Sequence, residues 1–157
     1  MAYSIIDILN KLIKTEEKIK KVYVNIANST DMRRIEIISR ILVKEKERHI
    51  RYYEDIKKEN SSGANQHIDF DIYDKISFLI NQFNIRIVDK KFDTLEQLLN
   101  YALEYEEMNK GLLIDMQGRL LRTKKDNTTV AYKVLSEIIF EREKNIMNIK
   151  YFIKSDK

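Results

Sequence analysis

Four segments of the sequence place apolar residues at alternating spacings of four and three, and each stripe is interrupted near its middle by one charged residue. The clearest runs from Leu95 to Leu120 through Leu99, Ala102, Glu106, Asn109, Leu113 and Met116. That period puts the residues on one side of a helix, facing partner helices. The first segment repeats it with Ile5, Leu9, Leu12, Glu16, Ile19, Tyr23 and Ile26, widened by Ile6, Ile13 and Val22. The second uses Ile35, Ile38, Leu42, Lys46, His49, Tyr53 and Ile56. The last uses Leu135, Ile139, Arg142, Ile146, Ile149 and Ile153. With no proline and only three glycines in 157 residues, both common helix breakers are scarce, which favours long helices.

The spacing predicts a first helix from about Ser4 to Ile26 and a polar break at Asn28-Ser29-Thr30-Asp31. A second helix follows over Met32 to Lys58. Glu59 to Asp71 is the main break, with a loop-forming run from Asn60 to Asn65. A short crossing helix is expected over Ile72 to Phe83, and Ile85-Arg86-Ile87-Val88 reads as an extended connection. Asp93 caps the third long helix, with Glu96 at its third position. This helix passes Met116 and ends between Gly118 and Leu121; Gly111 within it leaves room for a close neighbour. After a polar loop, Thr123 to Asn127, the last helix runs from about Thr128 to Ile153. The chain therefore reads as one all-α domain, residues 1–157, built as a four-helix bundle with a long crossover between helices two and three.

Several function classes fall away. Without cysteine there is no disulfide, thiol catalysis or cysteine-held metal. No apolar run approaches a membrane span, and the N-terminus lacks a basic region followed by an apolar stretch, so no membrane partner is expected and cytoplasm is the expected location. The net charge of +4 comes from scattered basic pairs with no aromatic-interleaved stripe, so no nucleic-acid partner is expected. No nucleophile–base arrangement, phosphate loop or dinucleotide fingerprint is present.

The interior charges carry the remaining information. Glu16, Lys46, Glu106 and Arg142 are two acids and two bases, one per long helix. In a bundle they would sit at one level and pair, since an isolated buried charge is costly. The competing readings are that Glu16 rotates out beside Glu17, and that the lysine and arginine stretch to the surface. His49 also reads as a satisfied buried histidine, which a lone histidine usually is. An internal echo also appears: Glu45-Lys46-Glu47-Arg48-His49 has the pattern of Glu141-Arg142-Glu143-Lys144-Asn145, hinting at related helix pairs.

These residues resemble the rubrerythrin-like branch of the ferritin-like superfamily. In that branch the first helix carries Glu and then Tyr seven positions on, matched by Glu16 and Tyr23, with Ala27 a turn further. Its third helix supplies another Glu, matched by Glu106, and its second and fourth helices carry Glu-x-x-His, of which His49 matches one histidine. The resemblance implies a ferritin-like bundle with a di-iron site. The ligand pattern is degenerate, however. Lys46-x-x-His49 and Arg142-x-x-Asn145 put cations where two carboxylates belong and an amide where an imidazole belongs, and Leu113 replaces the tyrosine expected after Glu106. A di-iron centre needs those carboxylates to offset its charge.

The expectation is thus a cofactor-free, non-catalytic ferritin-like protein with a structural or partner-binding role, as a homodimer or with another protein. The interior charge network would be Glu16, Lys46, Glu106 and Arg142, with His49 and Asn145. One alternative is an atypical rubrerythrin-like metalloprotein of peroxide- or oxygen-related activity, holding iron, manganese or zinc through Glu16, Glu45, His49 and Glu106. Another is an unrelated helical interaction module. Tyr52, Tyr53, Tyr101 and Tyr105 read as interface aromatics or, more ordinarily, as aromatics at the edge of the core.

Overall fold

The computed structural model describes residues 3–61, 67–121 and 129–156. Its regular structure is helical throughout those residues: α1 (Ile5–Ser29), α2 (Arg33–Glu59), α3 (Phe70–Ile85), α4 (Leu95–Arg119) and α5 (Val130–Asp156). Among the described residues one β-bridge forms, pairing Tyr3 with Ile68. No helix among the described residues is long and apolar enough to cross a membrane. The chain divides between Lys91 and Phe92 into two compact units.

In the first unit, α1 starts with a capping box. Ser4 accepts from the Ile6 amide, and the Asp7 carboxylate accepts from the Ser4 amide. The three residues 30–32 then turn the chain back, so α2 runs antiparallel to α1. The polar break is shorter than the sequence suggested, because α1 continues through Ser29, whose hydroxyl donates to the Asn25 carbonyl. Ile8, Leu9, Ile19 and Ile35 form a core with essentially no exposure.

The shorter helix α3 packs on α1 through Ile76, Ile80 and Phe83. Its C-terminal end is tied down by polar contacts. Thr15 Oγ1 donates to Asn84 Oδ1 at 2.7 Å, and Lys18 Nζ donates to the Asn84 carbonyl at 2.7 Å. At its other end Tyr3 stacks on Tyr73, with centroids 4.0 Å apart. Ile85 ends the helix rather than opening an extended stretch, and Ile87 is buried behind it.

In the second unit α4 and α5 form a second antiparallel pair. Gln117, late in α4, donates to the Tyr132 carbonyl and to Ser136 early in α5, while Glu107 meets Lys150 nearer the far end. The cap of α4 is Thr94, not Asp93: its hydroxyl accepts from the Gln97 amide, and Gln97 Oε1 accepts from the Asp93 amide. Two adjacent residues could each cap, and the one with Gln three positions on does so. A side chain at Gly111 would meet nothing within 4 Å, so no neighbour packs closely there. The loop expected at Thr123–Asn127, the start at Thr128, and residues 62–65 of the earlier loop lie outside the described residues.

Candidate functional site

All four interior charges are buried, with exposures of 1 % for Glu16, 0 % for Lys46, 2 % for Glu106 and 2 % for Arg142. Glu17 faces water while Glu16 does not, and neither long cation reaches the surface. In the first unit Lys46 Nζ lies 3.6 Å from Glu16 Oε2. His49, one turn along α2, stands between two carboxylates: its Nδ1 is 3.9 Å from Glu16 Oε2 and its Nε2 is 3.5 Å from Glu45 Oε1. Glu45 also pairs with Arg48. The hydrogen bond from His49 pulls the Glu45 carboxyl from 4.5 down to about 2, opposed by partial burial and assisted by Arg48.

In the second unit Arg142 Nη1 donates to Glu106 Oε2. Asn145, one turn along α5, is buried, and so is Asn109, one turn along α4. The Asn109 Oδ1 atom accepts no hydrogen bond, nor does the Ser39 hydroxyl in the first unit, itself fully buried.

The two units repeat one design. Helices α1 and α4 have the same length, 25 residues, and both begin at a hydroxyl cap, Ser4 or Thr94. Each of the ten buried positions of α4 is a buried position of α1 raised by 90. That shift carries Glu16 onto Glu106 and Lys20 onto Lys110. A shift of 96 carries Lys46 onto Arg142, Glu47 onto Glu143 and His49 onto Asn145. The contacts follow the same shifts. Glu16–Lys46 corresponds to Glu106–Arg142, and Lys20–Glu47 at 3.5 Å corresponds to Lys110–Glu143 at 3.2 Å. Within the helices, Glu45–Arg48 corresponds to Glu141–Lys144.

No protein family, curated protein or solved structure matches this chain. The site is therefore read from its own residues. A cation beside each carboxylate takes the charge that a bound metal would otherwise balance. Among the described residues no group of three or more histidine or acidic side chains is disposed to hold a metal ion. The tyrosines considered as an interface do not form an exposed patch: Tyr53 and Tyr105 are buried, and Tyr52 and Tyr101 are half-buried, against Tyr53 and Phe92 respectively.

What reading the sequence missed is the second pair of cross-helix contacts, Lys20–Glu47 and Lys110–Glu143. The signal was present as Glu-x-x-x-Lys on both α1 and α4.

Proposed function

We propose that this chain is a ferritin-like four-helix bundle in which a buried Glu/Lys/Arg charge network replaces the di-iron site, and that its role is structural or partner-binding. One observation carries the reading: at matching registers of two helix pairs, each interior carboxylate meets a cation, Glu16 with Lys46 and Glu106 with Arg142. Those cations stand where the rubrerythrin-like pattern has the Glu of each Glu-x-x-His. An ammonium and a guanidinium repel iron, occupy its volume and offset the carboxylates' charge. The residues present do not fit a di-iron centre.

The experiment restores the missing ligands. Lys46→Glu, Arg142→Glu and Asn145→His together remove both cations and add three donors to Glu16, His49 and Glu106. Without metal this variant is expected to be less stable at neutral pH, because clustered carboxylates disfavour one another's ionised forms. Anaerobic ferrous iron should raise its melting temperature, since a ligand bound only by the folded state stabilises it. Metal content by mass spectrometry completes the test. Wild-type protein carrying about two irons per chain refutes the reading. A metal-free triple variant indifferent to iron shows that these side chains do not share a site. One divalent ion per wild-type chain, lost in His49→Ala, favours instead a mononuclear centre drawing on Glu16, Glu45, His49 and Glu106.

A further inference from the structure

Two helices turn apolar residues outward in regular stripes that the fold does not cover. On α3 the stripe is Phe70, Asp74, Phe78, Asn81 and Ile85, at intervals of four, four, three and four, and every member is exposed. Phe70, Phe78 and Ile85 keep 65 %, 61 % and 66 % of their surfaces in water. On α5 the stripe is Lys133, Glu137, Phe140, Lys144, Met147, Tyr151 and Lys154, at alternating intervals of four and three, and again wholly exposed. Phe140, Met147 and Tyr151 are 58 %, 67 % and 75 % exposed. Single exposed apolar residues are ordinary, but three large ones in line along a helix mark an interaction surface.

The stripes differ in sign. Within the α5 stripe three lysines, Lys133, Lys144 and Lys154, outnumber the one acid, Glu137, so the face is net positive, with Glu143 at its edge. Within the α3 stripe the charged residue is Asp74, with Asp71 beside it and Lys75 at the far flank. Each stripe alternates large apolar groups with charge or amide over a similar length of helix, so apolar residues of one can meet those of the other while lysine meets aspartate. Complementary charge of this kind fixes register and suppresses wrong partners.

We propose that the α3 stripe of one copy of this chain docks on the α5 stripe of a second copy. The occupant is another copy because each orphan face finds its complement in charge and apolar pattern on the same sequence. An anionic membrane would suit the lysines and aromatics of α5 and leave the acidic face of α3 uncovered. The contact is heterologous, joining two different patches, so its repetition builds a closed ring or an extending chain of molecules. This names a partner for the role proposed above without depending on the ferritin-like reading. Metal content tests that reading and oligomeric state tests this one, so either can fail alone.

Sedimentation equilibrium of the full chain, over a range of concentration and salt, is the test. Wild type is expected to self-associate, less strongly as salt rises. Phe78→Glu and Phe140→Glu should each shift it to monomer with the helical circular dichroism signal unchanged. Asp74→Lys and Lys144→Glu change only exposed side chains, so they keep the test open should a phenylalanine variant fold poorly. Each is expected to weaken self-association about tenfold, and a mixture of the two should associate more strongly than either variant does with itself. Monomeric wild type at every concentration overturns the proposal. So does association indifferent to all four changes. Flotation of a monomeric wild type with vesicles containing phosphatidylserine, lost in Phe140→Glu, would overturn it in favour of a lipid surface.

Discussion

The α1–α2 and α4–α5 hairpins solve one problem with different side chains. In the first, a compact ammonium faces Glu16 at 3.6 Å, and His49 adds a second polar contact with the same oxygen. In the second, the guanidinium of Arg142 hydrogen-bonds Glu106 directly, and the position matching His49 holds Asn145. Arginine offers a rigid planar fork and lysine a point charge. Two cations of different shape at equivalent places show that the requirement is a positive charge opposite a buried carboxylate. Their surroundings differ too. The first hairpin is covered along α1 by α3, whereas α5 turns Phe140, Met147 and Tyr151 to water.

The largest expected effect tests whether the pairs are equivalent in energy. Arg142→Met should destabilise the protein by about 3–5 kcal/mol, because Glu106 is left charged and buried. Lys46→Met should cost less, because His49 remains beside Glu16. Adding Glu106→Leu to the first or Glu16→Leu to the second should recover much of the loss. Urea unfolding of these four variants and of the single Glu106→Leu and Glu16→Leu changes measures this, and additive effects within a pair would show that its members do not interact.

An intermediate effect sharpens the difference around His49. Glu45 has its folded pKa depressed, so its contribution to stability is complete above about 4.5 and is lost as pH falls towards 2. Across that window wild type should lose stability faster than Glu45→Gln, and the two curves should run parallel at higher pH. Acid titration of the unfolding free energy checks this; identical slopes would show that the His49 contact does not hold in solution.

The smallest effect tests the outer rung of the repeat. Lys20–Glu47 and Lys110–Glu143 join partly exposed side chains. Lys20→Ala and Lys110→Ala should each cost no more than about 1 kcal/mol, and similar amounts. A markedly larger loss in one hairpin, measured by thermal melts, would break the correspondence at this rung.

Much of this architecture was legible in the residues. Four-and-three spacing located all the long helices, because a charge inside an apolar stripe does not disturb its period. The buried state of Glu16 and Arg142 followed from their neighbours one turn away on either side. Three things were not legible. Whether Lys46 answers Glu16 or Glu106 depends on which helices pair, and no spacing within one helix contains that. Another is how far the repeat reaches: its registers lie in the runs containing Lys46 and Arg142 and in the stripes of α1 and α4, which match at a shift of 90, but its cross-helix ion pairs do not. The connection in the first hairpin is shorter than in the second, so no one shift aligns both helices, and α1 lies 90 residues before α4 while the α2 run lies 96 before its mate. The exposed stripes were invisible because Phe78 and Phe140 sit among apolar neighbours that are buried, and only the packed structure separates inward from outward.

Each buried charge has its answering charge close by along the chain: Glu106 and Arg142 are 36 residues apart, and Glu16 and Lys46 are closer still. Closing a loop of that size is entropically mild. A nascent hairpin can therefore expel water from its own interior without stranding an ion, and its charges need not wait for a distant part of the chain. Folding dominated by such local closures is fast.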